Sequence, residues 1–381
     1  MKKGWKTKTL DEACQFSNGL WKGEKPPFVK VGVIRNTNFT KEGTLDDSDI
    51  AYLDVEAKKL EKRRLQFGDI ILEKSGGGPK QPVGRVALFD KEEGDFSFSN
   101  FTAALRVLDP DELDFRYLHK FLHWTYLSGV TEGMQSHSTG IRNLDGDAYK
   151  AIKCSFPPLA EQQRIVGLLD EVFEGLATAK ANAEKNLQNA RALFESHLQS
   201  VFTQRGPGWV EERLEECFRL KSGDGLISSA MKGGKYPVFG GNGIAGMHDE
   251  FNLSGDNVII GRVGALCGNA RYITEEIWLT DNAFRIVDRC FEFDGAFLTY
   301  LLNFKNLRSL ARQAAQPVIS NSSLKDLLLP FPEIAKQKKI AAQLDALTEE
   351  TQRLARLYER KHAALEALKK SLLHQAFTGE L

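Results

Sequence analysis

PPLAEQQRIVGLLDEVF at residues 157–173 returns as PEIAKQKKIAAQLDALT at residues 332–348. Extended outward, residues 156–203 and 331–378 align without a gap at a constant offset of 175. Fifteen positions are identical, among them Phe156/Phe331, Pro157/Pro332, Gln162/Gln337, Ile165/Ile340, Leu193/Leu368, Ser196/Ser371 and Phe202/Phe377. Chance supplies only a few identities over such a length, so the chain carries two copies of one plan.

Each copy opens on Pro beside an apolar residue and then runs for about 45 residues without an interior Pro, which predicts a long helix. In the second copy Ile340, Leu344, Leu347, Thr351, Leu354, Tyr358, Leu365, Leu368 and Leu372 fall on steps of three and four, with one skipped position at Lys361. That spacing predicts a coiled-coil seam. In the first copy Ile165, Leu169, Val172, Leu176, Ala179 and Ala183 hold a looser seam that drifts toward an eleven-residue spacing. At 1.5 Å rise per residue each helix would be on the order of 65 Å long, with too narrow an apolar stripe to fold alone. The expected partner of each is the other, packed antiparallel with a lobe at either end.

The lobes repeat more faintly. Gly4, Trp5, Leu10, Asp11 and Glu12 match Gly208, Trp209, Leu214, Glu215 and Glu216 at an offset of 204, so the first lobe is longer by 29 residues. In both, a Gly-Asp precedes a β-branched run and a Gly-rich turn: residues 68–78 in one, 255–264 in the other. Further strands are expected at 85–89 and 104–108, and at 270–274 and 283–287, with a closing helix over 115–127 and 296–313. The predicted class is α/β (α+β): two lobes, each a twisted sheet with peripheral helices, joined by two long antiparallel coiled-coil helices with a pseudo-two-fold internal repeat. The expected divisions are 1–155, 156–203, 204–330 and 331–381.

Lys plus Arg equals Asp plus Glu at 51 each, and no segment is a polycation: 24 basic residues face 23 acidic ones in 1–155, and 14 face 15 in 204–330. A nucleic-acid partner would need a local basic face or a more basic companion, because phosphate neutralisation dominates such affinity. The basic start MKKGWKTKTL leads into Asp11 and Glu12 rather than a signal-peptide apolar region, and no stretch approaches a membrane span. The five cysteines are scattered with no CxxC pair, which reads as reduced thiols of a cytoplasmic protein.

The helix starts 157–173 and 331–345, and the terminal LKKSLLHQAFTGEL (368–381), resemble the helix signatures of the DNA-specificity subunits of Type I restriction-modification systems, the HsdS family. GDIILEKSGGGPKQPVGRVALF (68–89) and YPVFGGNGIAG (236–246) resemble segments of that family's target-recognition domains. The resemblance spans nearly the whole chain. It implies a non-catalytic subunit that binds double-stranded DNA, each lobe reading one half of a bipartite asymmetric site while the helices set the spacer. It further implies docking of two modification subunits, which carry S-adenosylmethionine and methylate adenine N6, and of two restriction subunits using ATP and Mg. No cofactor or metal is expected on this chain.

The residues agree with a non-enzymatic role. No GxxxxGK[ST] motif and no Asn-Pro-Pro-Tyr or Asp-Pro-Pro-Tyr tetrapeptide occurs, and SGGGP (75–79) lacks the Lys and Ser or Thr of a phosphate loop. His119 and His123 lie four apart with no third ligand, so packing or surface roles are expected. Asp54, Glu56 and Lys58 mimic a nuclease pattern inside a charged run, where a solvated helix face explains them.

Arg and Lys suit guanine, and Asn and Gln suit adenine, in the major groove. Polar residues on Gly-flanked loops are therefore the candidate DNA contacts: Arg35, Asn36, Asn38, Lys74, Lys80, Gln81 and Arg142 in the first lobe, and Lys232, Lys235, Tyr236, Asn242, Arg262 and Asn321 in the second. Arg85, Asn100, Asn269 and Asn282 are expected to be structural. Candidate docking residues sit at the helix starts: Leu159, Gln162, Gln163 and Ile165, with Ile334, Gln337, Lys338 and Ile340. The competing reading is a coiled-coil adaptor whose lobes bind protein or carbohydrate.

Overall fold

The computed structural model describes residues 4–20, 23, 25–78, 81–138, 141–312 and 317–381. Four helices frame it: α1 Phe115–Leu127, α2 Leu159–Thr203, α3 Gly295–Phe304 and α4 Ile334–Thr378. The chain divides into two compact units, each taking one lobe and a stretch of both long helices. Unit 1 is Met1–Ala183 with Arg360–Leu381, and unit 2 is Glu184–Glu359. Among the described residues no helix is long and apolar enough to cross a membrane.

The lobe of unit 1 is built on an antiparallel four-stranded sheet in the order Cys14–Asn18, Thr102–Val107, Ile70–Glu73, Val86–Leu88. A second sheet runs Ala51–Glu56, Phe28–Ile34, Phe96–Phe98, the last pair parallel. Lys6–Thr9 pairs with Lys153–Phe156 and so ties the start of the lobe to the strand that feeds α2.

Unit 2 repeats this topology. Its four-stranded sheet runs Arg219–Ser222, Ala283–Val287, Asn257–Gly261, Ala270–Ile273, and its second sheet Gly243–His248, Tyr236–Gly240, Trp278–Leu279. Val210–Arg213 pairs with Leu328–Phe331.

About half of the 29 extra residues of the first lobe lie in one connection between paired strands, sixteen residues against two. Residues 35–50 join Phe28–Ile34 to Ala51–Glu56, whereas Gly241 and Asn242 alone make the equivalent turn. A third sheet in unit 1, Gln135–Ser138, Ile141–Leu144 and Ser75–Gly77, answers to isolated bridges of Val318 with Val263 and Arg312 in unit 2.

Each unit interlocks the start of one long helix with the end of the other. In unit 1 Ile165, Val166 and Leu169 share a core with Leu373, Ala376 and Phe377; in unit 2 Phe202 packs with Ile340, Ala341 and Leu344. The segments are therefore antiparallel within each unit. The lobes close on these pairs through equivalent aromatic contacts. Phe377 meets Tyr117 edge-on at 5.3 Å, and Phe202 meets Phe297 at 5.6 Å.

The repeated glutamines are the polar half of the same junction. Gln162 is fully buried; its Oε1 accepts from the Asp114 backbone N–H at 2.9 Å, and its Nε2 donates to the carbonyls of Glu112 and Pro157, each at 2.8 Å. Gln337 accepts from the Asp294 N–H at 3.0 Å and donates to the carbonyls of Glu292 and Pro332 at 3.1 and 2.8 Å. Asp114 and Asp294 in turn cap α1 and α3 through their carboxylates. One amide thus joins the helix start, the Pro turn and the lobe helix, with its oxygen and both N–H groups used.

This overturns part of the docking expectation. Gln162, Ile165, Gln337 and Ile340 are buried against their own lobes, and Leu159 and Ile334 are half-buried; Gln163 and Lys338 are exposed. Two further expectations change. The helix expected over 296–313 stops at Phe304, because Asn306 takes a left-handed conformation at φ 48° and a 3-10 turn, Leu307–Leu310, follows; Gln313 lies outside the described residues. Leu368 leaves the seam and is 46% exposed, since the inward position after Leu365 goes to Lys369, whose ammonium sits 5.2 Å from the Phe173 ring centre.

Replacing Gln162 by Leu strands three buried backbone groups, at about 1–3 kcal/mol for each left unpaired before relaxation. We expect Gln162→Leu to destabilise unit 1 by about 2–4 kcal/mol and Gln337→Leu to do the same for unit 2, measured by urea denaturation. Unchanged midpoints would show the clamp to be dispensable.

Candidate nucleic-acid interface

In unit 1 the Gly-rich turn is held by an internal ion pair. Glu73, 1% exposed at the end of its strand, accepts from Arg85 Nε at 2.8 Å, from Arg85 Nη2 at 3.0 Å and from Asn36 Nδ2 at 3.1 Å. The guanidinium also donates to the Asn36 carbonyl and lies 5.6 Å from the Phe39 ring centre. Arg85 is therefore a strut, as expected of it. Burying a carboxylate is tolerable only with such pairing. The Gln81 carboxamide lies against the same guanidinium, and Gly78 and Gln81 exchange two backbone hydrogen bonds. Gly77 is required here: a Cβ would stand 2.6 Å from the Gln81 carbonyl oxygen.

Asn36 and Gln81 are thus brought together on one floor, and Arg142 pairs across strands with Gly77 beside them. Arg142 is half-buried and donates weakly to Gln135 at 3.4 Å. The other candidates of this lobe are differently placed. Asn38 is 1% exposed, bonded to the Arg35 N–H and to the Asp46 and Asp49 carbonyls, and is structural; that overturns its assignment to DNA, because its amide closes a 3-10 turn. Arg35 pairs with Asp49 at 2.9 Å, and Lys74 donates to Asn18 Oδ1 at 2.9 Å. Burial lowers the Lys74 pKa. Lys80 lies outside the described residues.

In unit 2 the exposed Asn242 turn accepts from the Leu266 N–H at 2.9 Å. Gly241 lets the two backbones meet, since a Cβ there would stand 1.9 Å from the Val263 carbonyl oxygen. Arg262 is half-buried over Phe284, with long bonds of 3.4 Å to Ser222 and to the Asp281 carbonyl. Lys232, Lys235 and Tyr236 open the neighbouring hairpin: Lys232 pairs with Asp249 at 3.7 Å, and the Lys235 ammonium lies 4.6 Å from the Tyr236 ring centre. Asn321 stands apart, donating to the Leu220 carbonyl at 3.2 Å.

His119 and His123 are packing residues. Their rings stack at 6.3 Å beneath Gly43, both are buried, and each Nε2 lacks a partner. Burial pulls the His119 pKa down to about 4 and that of His123 to about 3, with nearby positive charge assisting. Among the described residues no group of three or more His, Cys, Asp or Glu is placed to hold a metal.

Sequence reasoning missed one surface. Eight of the fifteen repeated identities are exposed in both copies. Asp170 and Asp345 brace α1 and α3 through Lys120 and Tyr300, and the hydroxyls of Thr203 and Thr378 bond back to Gln199 and His374. Packing explains none of Ala192/Ala367, Leu193/Leu368 and Ser196/Ser371. The two leucines are 62% and 46% exposed. Their identity was visible in the repeat; only their exposure was not.

An internally duplicated pair of α+β lobes, carried on two long helices that each serve both units, defines a two-headed subunit. The chain belongs to the family described as Type I restriction modification DNA specificity domain, whose sequence model matches residues 2–188 and 207–359. It is 29% identical over 244 residues to the EcoprrI type I restriction enzyme specificity subunit of Escherichia coli, a match spanning 59% of this chain and 60% of that relative. The putative MjaX specificity subunit of Methanocaldococcus jannaschii is 21% identical over 410 aligned positions, covering 99% of this chain and 93% of its own. Among solved structures, a chain described in work on complex assembly and conformational transition of the type I R-M system superposes with a TM-score of 0.79 at 19% identity, covering 100% and 99% of the two chains. The HsdS subunit from Thermoanaerobacter tengcongensis gives 0.66 at 18%, covering 100% and 98%.

The histidines yield a test of unit 1. Their folded pKa values lie below the ordinary 6.5, so between about pH 6.5 and pH 4 the unfolded chain binds more protons and stability falls as pH falls. Each can contribute at most about 1.4 kcal/mol per pH unit in that window. Urea midpoints measured from pH 7.5 to pH 5 should decline, and His123→Phe should flatten part of the decline. A slope identical in the variant would mean that His123 titrates normally.

Proposed function

We propose that each lobe reads one half of a bipartite, asymmetric duplex site, while the two helices set the unread spacer and dock two modification subunits. Chemistry is delegated: those subunits bring S-adenosylmethionine and methylate adenine N6, and restriction subunits, where present, bring ATP and Mg. The observation that carries this reading is the pair of exposed leucine patches. A duplication maintained only for folding would repeat the interior; here Ala192, Leu193 and Ser196 recur outward as Ala367, Leu368 and Ser371, one patch on each unit. Two copies of one surface suit two copies of one partner. The lobes share a topology and differ in their loops, which fits two readers of different half-sites.

Co-expression with an adenine methyltransferase subunit and sequencing for N6-methyladenine should reveal one split motif, and exchanging residues 1–150 should alter only one of its halves. Absence of any split motif would sink the reading and favour the adaptor. Leu193→Glu or Leu368→Glu should reduce the complex from two modification subunits to one, and the double variant to none, by mass photometry. The unfolding free energy from urea titration should change by less than about 0.5 kcal/mol, as for other surface changes. Retention of both subunits by the double variant would place docking elsewhere.

A further inference from the structure

Unit 1 contains a cleft of about 860 Å³ between its lobe and its helix pair. The floor is the Asn36, Glu73 and Arg85 network with Gln81, one wall is His123 and Tyr126 of α1, and the other is Lys180 of α2 with His362, Glu366, Lys369 and Lys370 of α4. Within it Glu73 is neutralised by Arg85, and Glu366 lies 3.3 Å from Lys180. None of the ion pairs among the described residues involves Lys41 on the rim, Lys369 or Lys370. Glu42, beside Lys41, is the remaining carboxylate, so the lining carries five cationic side chains (Lys41, Arg85, Lys180, Lys369 and Lys370) against three anionic ones (Glu42, Glu73 and Glu366), and the surplus is positive.

The duplication supplies an internal control. At the offset of 175 the partners of Lys180, His362, Lys369 and Lys370 are Ala355, Leu187, Phe194 and Glu195, so the shared helical scaffold folds without this charge. The equivalence of Asp114 and Asp294 sets an offset of 180 for the lobe helices and pairs His123 with Asn303. Asn303 is satisfied on both sides by the Ala270 backbone, whereas His123 lines the cleft with its Nε2 unpartnered. Counting Glu366, whose partner is Arg191, these five helix positions sum to +2 in unit 1 (Lys180, Lys369 and Lys370 against Glu366) and to zero in unit 2 (Arg191 against Glu195), and unit 1 adds an unsatisfied polar side chain at the same concavity.

We propose that this cleft binds a phosphate group, contributed by the backbone of the duplex on which the lobe sits. The source rests on the DNA reading above; the phosphate chemistry rests on the cleft alone. Lys369 and Lys370 supply the charge, Asn36 and Gln81 are amides held ready by Glu73 and Arg85 respectively, and unit 2 makes no equivalent contact.

The test uses the full chain with its modification partner. Lys369→Gln/Lys370→Gln should leave the methylated motif unchanged and lower the slope of log affinity against log salt by about 1–2, at about 0.9 for each phosphate no longer neutralised. Lys58→Gln/Lys59→Gln, on the short helix Ala57–Glu61 of the same lobe and outside the cleft, should leave the slope unchanged. In parallel, inorganic phosphate is titrated calorimetrically into the full chain and into the variant. An unchanged slope together with phosphate binding lost in the variant would assign the cleft to a free phosphate compound. An unchanged slope with no phosphate binding to either protein overturns the proposal. Should the parent complex bind no split duplex at all, the DNA reading fails separately, and the titration alone decides the cleft.

Discussion

Everything in this molecule hangs on a buried side-chain amide that appears twice. Gln162 and Gln337 each spend one acceptor and two donors on three backbone groups from three places: a lobe helix cap, the residue two before it, and the Pro turn that launches the long helix. No apolar residue can satisfy those groups, and a shorter amide would not span them. The lobe's orientation on its helix is therefore set by directional bonds in a dry junction, where an unpaired backbone group costs more than a bond ordinarily gains. Aromatic packing alone would tolerate sliding.

The second half of each junction comes from the other copy. Phe377 seals the lobe whose own helix begins at Leu159, and Phe202 seals the lobe whose own helix begins at Ile334. Each long helix begins in one unit and ends in the other, so a change at either end is felt by a different lobe. This explains the distribution of the repeated identities. They crowd into 156–174 and 192–203 with only Glu184 between, because the ends share cores with the lobes.

The sequence disclosed the duplication, the two helices, the extent of α1 and the unequal lobes, since each rests on spacing that survives without coordinates. It could not disclose which polar residues turn inward. Gln162 sits in a first helical turn rich in Glu, Gln and Arg, where amphipathic logic places it in solvent; its burial follows from a helix cap, Asp114, and the turn residue Glu112 before it, some fifty residues away. Asn38 misleads for the same reason, being a turn amide whose bonds run to Asp46 and Asp49. Leu368 misleads in the opposite sense. Apolar periodicity counts a lysine as outward, but the methylene stem of Lys369 can line a seam while its ammonium settles on Phe173. The candidate interface was half legible: Asn36, Gln81 and Arg142 do converge and Arg85 is structural as expected, but its buried partner Glu73 carried no signal in the sequence.

Net neutrality is a poor guide to what such a lobe can bind. In the first lobe Arg85 and Arg106 are tied to Glu73 and Asp69, carboxylates almost wholly buried, so these four charges cancel inside the fold and contribute little outside it. Arginine suits that work because its planar fork meets a carboxylate at two points. Lysine, a compact charge on a long stem, is left to the surface, as Lys41 and Lys370 show. A count of equal acids and bases therefore conceals a division between charges that build the lobe and charges that face a ligand. A protein can be neutral in sum and still present a positive cleft, provided its acids are spent on its own struts.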